Sequence, residues 1–123
     1  MKKMVFTFAF ILSVLSIQAA DIQAIADAFK SGNAALLATC MDTEVDMALP
    51  EAARKVNGQE AVDLLTRFFE AGKVSGFTVA HHADKKESGF IVGKLTTEKG
   101  DFRVNITYQT RADKVIIQSI RIE

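Results

Sequence analysis

Ala61, Leu64, Leu65, Phe68 and Phe69 recur at i, i+3, i+4, i+7 and i+8 between Gly58 and Gly72. That spacing lays one apolar stripe along an α-helix, with Glu60, Asp63, Arg67 and Glu70 on its far side. A second stripe, Ile22, Ile25, Ala26 and Phe29, predicts an earlier helix with Asp21 as its N-cap and Gly32 just past its end. Asn33 is placed to cap a further short turn that puts Leu36, Leu37 and Cys40 on one face. Thr43 to Leu49 then alternates, with Val45, Met47 and Leu49 on one side, until Pro50 stops it. Asp42, Glu44 and Asp46 form an acidic row on the other side. It lacks the spacing of a calcium loop and reads as a solvated edge-strand face.

After Gly72 the period is two, which predicts four strands in an antiparallel meander. The Lys99-Gly100 turn aligns Ile91, Gly93, Leu95 and Thr97 with Tyr108, Ile106, Val104 and Phe102. The turn at Arg111 to Asp113 aligns Phe102, Val104, Ile106 and Tyr108 with Ile122, Ile120, Gln118 and Ile116. The turn at Asp84 to Ser88 places Phe77, Val79 and His81 near Leu95, Gly93 and Ile91. A slip of one residue would turn a whole strand to the wrong face. The long helix supplies the apolar surface that covers this sheet, so the class is α+β.

In that register, polar groups interrupt an apolar face. His81, Tyr108 and Gln118 point towards the helix, and Gly93 leaves space beside Gln118. These four residues are the candidates for lining a cavity. A buried amide needs partners or water, and an imidazole titrates near neutrality. His82, adjacent to His81 on a strand, points the opposite way, so the two cannot share a metal. On the outer face Phe90, Val92, Thr107, Val115 and Ile117 cluster as a sticky patch, expected to be covered by a second copy or a protein partner.

Composition narrows the function. Lys2 and Lys3, an apolar run from Met4 to Ile17 and the small residues Ala19-Ala20 form the pattern of a secretory signal peptide, residues 1–20, expected to be cleaved after Ala19 or Ala20. A single domain, residues 21–123, would remain in the periplasm or outside a Gram-negative cell, with no membrane segment. Loss of Lys2 and Lys3 takes Lys+Arg from 15 to 13 against 15 Asp+Glu, a net charge of −2. With no basic stripe, that excludes a nucleic-acid binder. Cys40 is the only cysteine, so no internal disulfide forms. No metal-ligand spacing and no cofactor motif is present.

Several strings in order carry a resemblance: Ala28-Phe29-Lys30-Ser31-Gly32-Asn33, Phe68-Phe69, Phe77-x-Val79-x-His81, Ile91-x-Gly93-x-Leu95-x-Thr97, Phe102-Arg103-Val104, and Ile117-Gln118-x-Ile120-Arg121-Ile122-Glu123. With the predicted elements, they make the chain resemble a family of small secreted bacterial proteins known only as a domain of unknown function. That family is expected to have the nuclear transport factor 2-like cone, in which helices pack on a curved antiparallel sheet. The resemblance implies a fold and no activity; the wider superfamily holds isomerases, dehydratases, ligand binders and interaction modules. Such enzymes use a carboxylate or a His–Asp pair inside the cone, and the predicted meander faces carry no carboxylate. The expected function is therefore a non-enzymatic module that binds a small apolar ligand or a protein partner, with no catalytic residue assigned. The alternative is a small isomerase- or lyase-like cavity enzyme using His81.

Overall fold

The computed structural model describes residues 22–84 and 87–123; the expected leader and the Asp21 cap lie outside the described residues. Helix α1 covers 22–31 and buries Ile25, Ala28 and Phe29. Gly32 follows at φ +66°, a left-handed residue at which the chain leaves the helix. The next turn, Ala34–Cys40, is 3-10 rather than α, and Asn33 makes no side-chain cap to it. Then come strand β1 (Met41–Leu49), strand β2 (Ala52–Val56), helix α2 (Gly58–Ala71) and the strands β3 (Val74–Asp84), β4 (Ser88–Thr97), β5 (Gly100–Arg111) and β6 (Lys114–Ile122). Asn57 opens α2, its side chain accepting the Glu60 N–H at 2.8 Å. No described helix is long and apolar enough to cross a membrane.

The strands form one curved mixed sheet in the order β2-β1-β6-β5-β4-β3. All neighbours are antiparallel except β1 and β6, which run parallel. Strand β1 is therefore interior, which corrects the edge-strand reading of its acidic row; the short β2 was not foreseen. Ala61, Leu65 and Phe69 of α2 are buried. Phe29 joins the two helices to the sheet, its ring 5.6 Å from that of Phe69 and 5.2 Å from that of Phe77.

The meander is present with its faces as predicted over most of its length, but the β4–β5 and β5–β6 pairings are displaced. Thr97 faces Gly100, so Gly93 faces Val104 and Ile91 faces Ile106. Val104 faces Ile122 and Ile106 faces Ile120. A two-residue displacement keeps every side chain on its face. Both hairpins are tighter than expected. Glu98-Lys99 closes one and accounts for all of its displacement, whereas the second turn accounts for one residue and the β5–β6 bulge for the remaining one. Ala112-Asp113 closes the other, with both residues at positive φ (50° and 63°), the twist that two-residue hairpins favour.

Two β-bulges do change faces. The β3–β4 register shifts between Val79 and His81, so His81 faces Val92 and His82 faces Ile91. The β5–β6 register shifts between Thr107 and Tyr108, so Ser119 faces Thr107 while Ile117, not Ile116, faces Tyr108. Each extra residue bends its strand and tightens the local twist. Val115 and Ile117 are thereby drawn into the core, at 7% and 0% exposure.

Candidate functional site

The four residues expected to share a cavity do not meet. Tyr108 is buried, and Gly89 lies beneath it: a Cβ on Gly89 would meet the phenol oxygen and come within 2.6 Å of the Ala83 carbonyl. Gly93 is covered by the Phe77 ring, whose Cε1 would lie 2.6 Å from an added Cβ. The deep part of the cone is thus filled by its own side chains. His81 is exposed on the other face, its ring 5.5 Å from Phe90. Gln118 also lies on that face and donates to the Gln109 side chain at 3.2 Å. Of the five residues expected on an outer patch, Val115 and Ile117 are core, Phe90 and Val92 are half-buried, and Thr107 is exposed with its hydroxyl bonded to that of Ser119.

Gln118 belongs to a polar groove of about 590 Å³ over β2, β1, β6 and β5, with Asp42, Thr43, Glu44, Asp46, Lys55, Thr107, Arg111 and Ser119. Asp42 is its anchor. It accepts the Thr43 N–H at 2.7 Å, and Arg111 reaches both its oxygens at 3.3 and 3.5 Å. Arg111 Nε also donates to Gln109 at 2.7 Å. The Thr43 bond first, then the Arg111 charge, hold the Asp42 carboxyl below its ordinary value. A depressed carboxylate contributes stability that is complete above its unfolded pKa, about 3.9, and disappears as the pH falls through the lower native value. Acid titration of the Asp42→Asn variant, followed by circular dichroism, is expected to show a shallower loss of stability below about pH 4 than the parent. Equal slopes would mean that the ion pair contributes nothing. No group of three or more His, Cys, Asp or Glu suited to a metal occurs among the described residues.

The cone is open at its other end. Leu64, Arg67, Phe68, Ala71 and Gly72 from α2 face Leu49, Pro50, Glu51 and Ala52 of the β1–β2 hairpin and Thr97, Lys99 and Phe102 around the β4–β5 turn. They enclose about 400 Å³. The floor is Leu49, Leu64, Phe68 and Phe102, all half-buried, with the two phenyl rings edge to face at 5.3 Å. The rim is fixed by backbone pairing. Glu98 N–H donates to the Lys73 carbonyl at 3.0 Å, and the Glu98 carboxylate accepts the Lys73 N–H at 2.9 Å. The buried Thr97 hydroxyl donates to the Gly100 carbonyl and accepts the Lys99 N–H. Lys99 consequently lays its aliphatic stem over Gly72, within 3.4 Å of where a Cβ would stand.

None of the mouth residues was singled out as a site from sequence. Leu64, Phe68 and Ala71 form one edge of the α2 stripe, and an edge of a stripe reads as core until the neighbouring strand end is located. What locates it is the β1–β2 hairpin around Pro50, whose second strand has no alternation to reveal it.

The model of a domain of unknown function, DUF4783, matches residues 22–123. A DUF4783 family protein from Bacteroides fragilis is 36% identical with a TM-score of 0.76, the match covering 80% of this chain and 93% of that one. Another from Bacteroides uniformis is 33% identical with a TM-score of 0.78, covering 82% and 94%. An NTF2-like protein of unknown function from Cytophaga hutchinsonii shares the fold at 9% identity, with a TM-score of 0.59 over 83% and 84% of the two chains. No curated protein matches the sequence.

Proposed function

Because the chain belongs to the DUF4783 family, a domain of unknown function, and has an NTF2-like fold, we propose its role from its own geometry: a non-catalytic module that binds a small, largely apolar ligand in the open mouth of the cone. The observation that carries this reading is the set of four half-buried hydrophobic side chains around about 400 Å³. That volume is in the range of small-molecule sites, which are concave and mostly apolar with few polar groups. A catalytic reading has less support. Among the described residues, no carboxylate or imidazole is buried, and His81 faces away from the mouth. The leader-like first twenty residues suit a periplasmic or exported protein.

Ala52 lines the mouth yet is exposed on a strand, so Ala52→Trp fills the space with a residue that strands favour. Wild-type protein is expected to bind the neutral fluorophore N-phenyl-1-naphthylamine saturably, one per chain, with a blue-shifted emission. Ala52→Trp should keep its circular dichroism and lose at least tenfold in affinity. Equal binding by both proteins, or none by the wild type, would sink the reading.

A further inference from the structure

The charges at the mouth are unequally used. Among the described residues, Arg54 is paired with Glu60, Lys94 with Asp101 and Arg111 with Asp42. Arg67 and Lys99, the two cations that line the mouth, form no ion pair with a described residue. Glu51 is the one acid among the lining residues; the nearby Glu98 carboxylate is turned to the Lys73 N–H. An apolar floor thus meets a lining with two cations to one acid, while Glu98 beside it places its negative charge at the Lys73 N–H. Arg67 precedes Phe68 on α2, and the Lys99 stem lies on Gly72, so that both side chains line the opening.

Resting on the mouth as the ligand site, we infer that its ligand is a monoanionic amphiphile, an apolar body with one carboxylate, whose head is held by Arg67 and Lys99. Three physical features select that class. The floor offers only hydrocarbon to the body. A guanidinium presents a planar pair of N–H donors that matches a carboxylate in two parallel hydrogen bonds. Glu51 on the same rim disfavours a second negative charge, which sets a carboxylate above a dianionic phosphate monoester. Size sets the length. An apolar cavity of about 150 Å³ holds benzene, so about 400 Å³ takes about sixteen non-hydrogen atoms on the same scale. A saturated chain of about ten to fourteen carbons, or a fused-ring acid of the same size, fits that bound.

Displacement of N-phenyl-1-naphthylamine by decanoate, 1-decanol and decyl phosphate, all below the concentrations at which they aggregate, tests this. Decanoate is expected to displace the fluorophore at about tenfold lower concentration than decanol, with decyl phosphate between them. Arg67→Gln removes an exposed side chain that holds no ion pair, so the fold is kept. In that variant decanoate should lose most of its advantage over decanol, a larger loss than decanol or the fluorophore shows; Lys99→Gln should give a smaller loss of the same kind. If decanol competes as well as decanoate, or Arg67→Gln weakens both alike, the anionic class is wrong and the mouth remains an apolar site. If decyl phosphate is the strongest competitor, the monocarboxylate assignment is wrong. If no amphiphile displaces a fluorophore that does bind, the amphiphile class falls. Failure of the fluorophore itself to bind overturns the mouth reading along with it.

Discussion

Gly93→Ala is expected to destabilise the fold by about 1–3 kcal/mol, the usual cost of forcing a methyl into a filled core. Gly93 has no unusual backbone angle; what it lacks is room. An added Cβ would overlap the Phe77 ring, with Cε1 at 2.6 Å and the Thr78 carbonyl at 3.0 Å. Phe77 cannot simply rotate away, because its other side packs on Phe29 at 5.2 Å. The second half of the experiment decides the cause. Phe77→Leu shrinks the obstructing group and should destabilise the parent, yet cost less in the Gly93→Ala background, so the double-mutant cycle gives a favourable coupling. Denaturant midpoints of the four proteins measure it. A coupling of zero would move the explanation from packing to backbone curvature at the neighbouring bulge.

Alternation revealed the faces of the meander but not its irregularities. A β-bulge leaves no mark in a period of two; it only changes which parity is correct beyond it. Val115, Ile116 and Ile117 are all apolar, so either parity satisfied the hydrophobic pattern. The parity that continued unbroken from Ile122 put Gln118 in the core. The folded chain instead bulges there, keeping Gln118 and Ser119 both out of the core while Ile117 and Ile120 both stay in. The same happens at Ala80, and His81 moves outside. An amide or imidazole stranded in an apolar row carries a desolvation cost of about 1–3 kcal/mol if unpaired. That cost is as much a signal of a register change as of a binding site. Of the candidate cavity residues, Tyr108 and Gly93 alone lie on strands without a bulge of their own, and they kept their faces, only to be packed against Gly89 and Phe77.

The mouth was illegible for a different reason. Its floor comes from three segments distant in sequence, and each contributes residues that look like ordinary core. Leu64 and Phe68 differ from Leu65 and Phe69 by one step around α2. That step decides whether a side chain meets the closed sheet or the gap between the β1–β2 hairpin and the β4–β5 turn. Arg67 was assigned to the polar side of the stripe, which is correct as to exposure and silent as to the neighbours it overlooks.

Phe29→Ala carries the largest expected loss, about 3–5 kcal/mol, and Phe68→Ala the instructive contrast. Phe29 is fully buried, with Phe69 edge-on at one side and Phe77 tilted against another. Its removal leaves a cavity that neither helix can close without leaving the sheet. Phe68, one residue from Phe69, is half-buried and touches Phe102 across the opening. Water already reaches it, so truncation should cost only about 1–2 kcal/mol. Chemical denaturation of both variants measures the difference. Comparable losses would mean that the mouth is as much a part of the core as the ring beneath it, and that its half-buried side chains serve stability alone. A wide gap would place the boundary between scaffold and site at a single step along α2. The helix would then be using one edge of its apolar stripe to hold the fold and leaving the other for whatever enters the cone.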